Sequence, residues 1–353
     1  MSALATAATT PVPAPRLALL GTGLVGSAFV ARHARLGGAA AGLPGFRWLA
    51  NSRTCAGCGE DAGTALDAAR AAPQGAAGHV LAAIERGDIV VDATASDAVA
   101  ARHAEWLARG IHVVTANKLG HGAGIDRSRA ICDAQARHRS RYGDGATVGA
   151  GLPLLASLRT LVAGGDRVHA IEGLLSGTLA WLFNRFDGRE PFSARLRAAR
   201  EAGYTEPDPR IDLSGEDVRR KLLILARAAG WPIAAEAVAV RSLVPAALAS
   251  VQGEVADEAW RALDVPLADR LAEARRDGGV LRMVGRVDAA GATVGLRVLA
   301  PTHPLAGGEG TDNRVAIWSD RYPAQPLVIQ GPGAGAEVTA AALLDDVLRI
   351  AAG

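Results

Sequence analysis

The stretch RLALLGTGLVGSAFVARHARL, beginning at Arg16, restricts the possible folds of this chain more than any other. An apolar run leads into Gly21-x-Gly23-x-x-Gly26, and a helical period follows at once. Between a strand and a helix each glycine has a mechanical reason. The first permits the tight turn, the second lets backbone approach a pyrophosphate, and the third lets the helix pack closely on the strand. The helix N-terminus then offers free N–H groups and a positive dipole end to phosphates. The turn predicts a dinucleotide site, with Gly21, Thr22, Gly23, Leu24, Val25 and Gly26 as its contacts. The plainer alternative, a glycine turn in a doubly wound fold without ligand, fits this context less well.

FRWLANSR, DIVVDATAS and GIHVVTANK read as further strands, and DAVAARHAEWLARG as a helix closed by Gly110. Strands alternating with helices predict βαβ units and a parallel sheet, over residues 16–147. After that the character changes. RVHAIEGLL and VLRMVGRVDAAGATVGLRVLA read as strands, the second with a hairpin over Ala289 to Ala292. FSARLRAAREAG and DVRRKLLILARAAG read as helices, so residues 148–322 are expected to form an α+β unit. The last helix, AEVTAAALLDDVLRIAAG, lies in a segment 323–353 that can pack back on the first unit.

The second strand ends in Asn51-Ser52-Arg53, where NAD-binding folds place an acid against the ribose 2′-hydroxyl. An arginine there suits a 2′-phosphate, so NADP is expected, with NAD left open. Thr94, Ser96 and Lys118 are further candidate cofactor contacts.

The chain has 38 basic side chains, yet only Lys118 and Lys221 are lysines. A lysine can lose its proton when its surroundings lower its pKa, which arginine does not do. Lys221 closes GYTEPDPRIDLSGEDVRRK, whose Pro207 and Pro209 are expected to hold an extended segment. Ser214 is the expected N-cap of the following helix, with Asp217 at the capping-box distance. Asp217 and Lys221 then share a face at i and i+4, beside an apolar stripe of Val218, Leu222 and Leu225. Alone, such a pair reads as a surface salt bridge. Two features favour chemistry: Glu206 and Asp212 lie just before it, and Lys118 sits at the carboxyl end of a strand, where such sheets bind ligands. A calcium site in the same stretch lacks the alternating acids and central glycine of an EF-hand.

With 353 residues, 49% apolar and 21% charged, two domains are expected. A formal net charge of +2, without like-charge blocks, gives no reason to expect nucleic acid. No stretch approaches the roughly 20 apolar residues of a membrane span. Residues 1–15 read as a flexible leader with no signal-peptide pattern, and three cysteines are too few for a disulfide framework, so a cytoplasmic protein is expected. Cys55 and Cys58 form a C-x-x-C pair read as a loop with two thiols rather than a zinc or redox site.

GTGLVGS, LANSR, DATAS, HVVTANK, VGAGLP, LLSGTLAWLFNRF, the glutamate-to-lysine stretch with the LLILAR that follows it, and GPGAGAEVTAA together resemble homoserine dehydrogenase, from about Arg16 to the end. The glutamate-to-lysine block is the most specific part, and dehydrogenases in general do not share it. The resemblance implies α/β architecture with an N-terminal Rossmann-type parallel sheet, a second α+β substrate and dimerisation domain, and a C-terminal segment returning to the cofactor side. It implies interconversion of L-aspartate 4-semialdehyde and L-homoserine with a nicotinamide cofactor, on the way to threonine and methionine, in a homodimer. It makes Lys221 and Asp217 the catalytic pair and puts Lys118 at the cofactor–substrate junction. Glu206 and Asp212 match substrate positions, and Gly335 lies near the cofactor; apart from the resemblance, Tyr204 is a further substrate candidate, and backbone N–H groups at Gly177 and Thr178 are expected to take the substrate carboxylate. Some members hold sodium through backbone carbonyls and a glutamate just before ATVGAGL. This chain has Gly145 there, which leaves an ion at Val148, Ala150 and Leu152 open. The length has no room for a regulatory ACT domain or an aspartokinase, so a monofunctional form is expected.

Other dehydrogenase chemistries fit less well. Neither lysine has the tyrosine four positions earlier that short-chain reductases use. Cys132 shows no sign of activation as a nucleophile, and the eight histidines make no zinc cluster. A non-catalytic NADP-binding sensor explains the glycine turn but not the acids gathered before Lys221.

Overall fold

Short strands buried along nearly their whole length build the first half of the computed structural model, which describes residues 15–59, 61–71 and 84–352. Its elements run β1 (Leu17–Leu20), α1 (Leu24–Arg35), β2 (Phe46–Ala50), β3 (Cys55–Gly57), α2 (Ala62–Ala71), β4 (Ile89–Asp92), α3 (Asp97–Ala100), α4 (His103–Ala108), β5 (His112–Thr115), α5 (Ile125–His138) and β6 (Tyr142–Gly143). The strands form one sheet in the order β3-β2-β1-β4-β5-β6, parallel except where β3 runs against β2. Leu17, Leu19, Ile89 and Val91 face a core with Phe29, while Ala18, Leu20 and Val90 face Trp106, Leu107 and Ile131. Both faces are thus covered, as a parallel sheet requires.

The second half runs α6 (Leu154–Ala163), β7 (Val168–Leu174), α7 (Gly177–Arg185), α8 (Phe192–Glu201), α9 (Pro209–Leu213), α10 (Glu216–Ala228), β8 (Val238–Val240), α11 (Ala246–Ala249), α12 (Asp264–Arg276), β9 (Val280–Asp288), β10 (Gly291–Leu299), β11 (Asp312–Ser319), β12 (Leu327–Pro332) and α13 (Ala336–Ala351). Its sheet, β12-β11-β7-β9-β10-β8, is antiparallel except for the β10–β8 pair. Ile171, Met283, Val287, Val315 and Ile317 pack against Leu158, Leu182, Leu222 and Leu225 from the helices. Gly285 lets α10 pack closely on the sheet, because a Cβ there would stand 3.0 Å from Val218 Cγ1.

The final helix joins the first sheet's core: Ala340, Leu343, Leu344 and Val347 are buried with Leu17, Phe29 and Val114. The chain therefore crosses between the two sheets twice. The leader, except for its last residue, lies outside the described residues.

Several local expectations change. The helix expected over DAVAARHAEWLARG is two helices, because Arg102 N–H bonds to Val99 O at 3.0 Å and tightens the turn between α3 and α4. The Cys55 and Cys58 segment is not a loop: it pairs antiparallel along the edge of β2, whose free backbone groups it satisfies. Cys55 packs into the core of one sheet face and Cys58 into the other, so the two thiols do not converge. Pro209 does not prolong an extended segment but starts α9, capped by Asp208. Helix α10 is capped by Gly215, at φ 80°, rather than by Ser214. Ser214 still serves that end, its hydroxyl accepting Glu216 N–H at 3.2 Å.

Candidate active site

On α10 the 3.6-residue period puts Asp217 directly before Lys221, and Val218, Leu222 and Leu225 sink into the core beside them. That burial draws the lysine stem inward until only 8% of the residue is exposed. Its Nζ donates to Asp217 Oδ2 at 2.7 Å and to the Leu175 carbonyl, just past β7, also at 2.7 Å. From the other sheet, Lys118 Nζ comes within 3.4 Å of Asp217 Oδ1. One carboxylate thus stands between the two lysines.

Burial is the largest influence on both groups of the pair. It pushes the Lys221 ammonium below the ordinary lysine value; Lys118 adds to this and Asp217 opposes it. For Asp217 burial works upward, but the two ammoniums outweigh it and hold the carboxyl below its usual value. The outcome is a charged acid beside an amine that gives up its proton more readily than a free lysine.

The loop before α10 brings up further acids. Asp212 Oδ2 accepts Glu206 N–H at 2.9 Å, and Oδ1 lies 2.9 Å from the Thr178 hydroxyl. That hydroxyl also lies 2.6 Å from the Tyr204 carbonyl, and its single hydrogen cannot serve both acceptors at once. Burial raises the Asp212 carboxyl, with Glu206 and Asp217 adding to the effect against the hydrogen bonds from Glu206 and Thr178. Asp212 therefore organises the loop, whereas the Glu206 carboxylate is exposed and has no partner among the described residues. Gly177 opens α7, whose N-cap Ser176 accepts Leu179 N–H, so the N–H groups of Gly177 and Thr178 remain available beside the same loop. The Tyr204 ring packs 5.2 Å from that of Trp181.

The glycine turn fits a dinucleotide phosphate. A Cβ at Gly21 would stand 2.8 Å from the Ala93 carbonyl, and one at Gly26 would collide with the Gly21 carbonyl oxygen, so both must be bare. Above Gly23 there is open space, and no side chain caps the start of α1. Leu24 is 83% exposed at this end. Asn51 donates to Thr22 Oγ1 at 3.1 Å and to the Ala69 carbonyl at 2.8 Å, and accepts Arg53 N–H at 2.8 Å. This one side chain ties the glycine turn to the turn carrying Arg53 and to the end of α2. There Arg70 donates from Nε to the Thr22 carbonyl at 3.1 Å. Sequence reasoning missed Arg70, because only the tertiary fold distinguishes it from the many other arginines.

Thr94 and Ser96 lie beyond β4, where Asp92 Oδ1 accepts from Thr94 N and Oγ1, and Ser96 caps α3. Asn117, unremarked in the sequence, links this loop to Lys118 by donating to the Ser96 carbonyl at 2.9 Å. Gly335 stands at the start of α13, away from the lysine pair in the chain but on the helix packed against α1. Val148 and Ala150 are buried in the turn before α6, Ala150 at φ 50°, and the Leu152 carbonyl accepts Leu154 N–H at 2.8 Å. The side-chain space lost at Gly145 borders the buried Asp346, which accepts Gly145 N–H at 2.8 Å. Among the described residues no group of His, Cys, Asp and Glu side chains is placed to hold a metal ion. None of their helices is long and apolar enough to cross a membrane. A cavity of about 940 Å³ by Arg16, His33 and Pro44, at the opposite edge of the first sheet, contains none of these groups.

Known proteins match both halves. The family model described as homoserine dehydrogenase, NAD binding domain, covers residues 21–142, and the homoserine dehydrogenase model covers 153–348. The homoserine dehydrogenase of Schizosaccharomyces pombe is 40% identical over 271 residues, 74% of this chain and 72% of that protein. The chloroplastic bifunctional aspartokinase/homoserine dehydrogenase 2 of Zea mays is 45% identical over 268 residues, and there the match spans only 29% of the relative's length. A Candida auris protein of unknown function superposes with a TM-score of 0.84 at 34% identity, covering 96% of this chain and 98% of that one. A hyperthermophilic archaeal homoserine dehydrogenase in complex with NADPH shares the fold, with a TM-score of 0.72 at 19% identity over 95% of this chain and 97% of that one. With both sheets matched by the same family and the lysine pair standing where they meet, the chain belongs to the homoserine dehydrogenase family.

Proposed function

We propose that this protein interconverts L-aspartate 4-semialdehyde and L-homoserine, with NADP as the preferred cofactor. The observation that carries this is the meeting of Lys118, Asp217 and Lys221 at the carboxyl edge of a glycine-turn sheet. A nicotinamide cofactor held at the Gly21–Gly26 turn would supply or accept the hydride. Everything else falls to the chain.

An ammonium has three donors, and two of those on Lys221 are used by Asp217 and Leu175 O. The third is left for the substrate oxygen. In reduction Lys221 donates a proton to the developing alkoxide, and in oxidation the neutral amine takes it back. Asp217 orients the amine, and Lys118 adds positive charge where the alkoxide forms. Glu206 receives the substrate ammonium, and the free N–H groups at Gly177 and Thr178 its carboxylate. Arg53, whose N–H Asn51 accepts, and Arg70, which donates to the Thr22 carbonyl, favour a 2′-phosphate on the adenosine ribose.

A homodimer joined through the second sheet is part of the proposal. Ala170, Trp318 and Val328 share the sheet face turned away from the helices, and Val328 is 37% exposed there. A monovalent cation, where one binds, would be held by the backbone carbonyls of Val148, Ala150 and Leu152.

Absorbance at 340 nm with L-homoserine and NADP at alkaline pH tests the activity. A rise that other hydroxy amino acids do not give supports it. A flat trace leaves a non-catalytic NADP-binding protein.

A further inference from the structure

The turn that carries Lys118 is held on both sides by contacts that admit no side chain. It closes with Gly122 N–H on the Lys118 carbonyl at 2.8 Å. A Cβ on Gly122 would stand 3.0 Å from the carbonyl oxygen of Arg220, the residue before Lys221. On the other side a Cβ on Gly120 would overlap the hydroxyl oxygen of Tyr142. That hydroxyl is itself fixed. It bonds to His103 Nδ1 at 2.9 Å, and His103 Nε2 bonds to Asp92 Oδ2 at 3.0 Å, with both His103 and Asp92 fully buried. Asp92 also holds Thr94 through its other oxygen, so the same network reaches the cofactor loop. Arg227 of α10 clasps the turn from the far side, donating to the His121 and Ala123 carbonyls. Lys118 is therefore carried by a turn wedged between Tyr142 and the backbone of α10.

We propose that Tyr142 is a positioning residue for Lys118, its hydroxyl acting as the seat on which Gly120 rests. This rests on the homoserine dehydrogenase reading, in which Lys118 acts on the substrate oxygen. Tyr142 touches no reacting atom in this account. It sets how far the turn rises from the first sheet, and hence how close Lys118 comes to Asp217. A displacement of an ångström in such a group costs about a hundredfold in rate. A contact on bare backbone transmits such a displacement directly, since a tight turn has no rotamer to absorb it.

The test is a double-mutant cycle on the full chain. Gly120→Ala should lower kcat for homoserine oxidation about tenfold or more, and leave NADP affinity, read by titration, within about twofold. In the Lys118→Met background the same substitution should cost less than about twofold, because the group it misplaces is already gone. Adding Tyr142→Phe to Gly120→Ala should restore kcat to within about threefold of Tyr142→Phe alone. Equal losses from Gly120→Ala with and without Lys118 overturn the proposal, as does a failure of Tyr142→Phe to rescue. If Gly120→Ala alone does not fold, Tyr142→Phe carries the cycle: a loss of about threefold beside Lys118 and none in the Lys118→Met background supports the seat, and equal losses overturn it. Wild-type protein with no homoserine oxidation at all sinks the functional reading instead, so the two failures are distinct.

Discussion

Lys118 follows a strand of the first sheet and Asp217 lies on a helix packed against the second, yet the lysine Nζ stands 3.4 Å from the aspartate Oδ1. The other oxygen of that carboxylate holds Lys221 at 2.7 Å. The pair on α10 is local and follows from helical spacing; the contact with Lys118 is made only by docking the two halves of the chain.

Lys221→Arg keeps a positive charge but removes a proton that can leave at working pH. Oxidation kcat should fall about 10²-fold or more, with NADP affinity close to normal. Steady-state kinetics with a cofactor titration measure this, and near-wild-type turnover would remove Lys221 from the mechanism.

Lys118→Met takes away a positive neighbour that helps lower the Lys221 pKa. The remaining groups facing Lys221 and its partner, Asp217 with Asp212 and Glu206 behind it, are negative. The amine should then hold its proton to higher pH. Oxidation needs the neutral amine, so the rising limb of kcat against pH should move to the alkaline side of its wild-type position. A limb that stays or moves to lower pH contradicts the arrangement.

Glu206→Gln and Asp212→Ala should separate. Glu206 is exposed and has no partner among the described residues, so its neutral variant should raise KM for homoserine about tenfold or more with little change in kcat. Asp212 engages Thr178 and Glu206 N–H, so its loss should lower both kinetic performance and thermal midpoint. Parallel effects from the two variants would show that neither division of labour holds.

Arg53→Gln and Arg70→Gln should each weaken NADP more than NAD, by about tenfold if a charge-assisted hydrogen bond to a 2′-phosphate is lost. Affinities for 2′,5′-ADP and 5′-ADP make the comparison without turnover. Equal losses for both nucleotides would assign the arginines to the turn itself.

Leu343→Ala removes a fully buried side chain of α13 from the core around Phe29. It should cost about 2–5 kcal/mol of stability. Chemical denaturation reads this, and a loss below about 1 kcal/mol would mean that the last helix is not part of that core.

Much of the fold was legible because its signals are local. The apolar run of Leu17 to Leu20, the glycine turn and the helical stripe of Val218, Leu222 and Leu225 each act within a few residues. Boundaries failed where a neighbour in space decided them. Gly215 caps α10 where Val240, Met283 and Val294 of the second sheet crowd its bare Cα, and the Cys55 segment is a strand because β2 had an unpaired edge. Neither cause is written in the segment concerned.

The site divides the same way. By itself the sequence determined that Asp217 and Lys221 share a helical face and that a dinucleotide phosphate has a bare glycine turn to approach, since both follow from backbone geometry at fixed spacing. Only the tertiary structure decided that Lys118 reaches the same carboxylate, that a main-chain oxygen at Leu175 shares the buried amine, and that Arg70 and Tyr142 stand behind their loops. Those contacts join residues far apart in the chain through backbone atoms and packed faces. Their position is fixed by how the two sheets dock, which no spacing within one segment encodes.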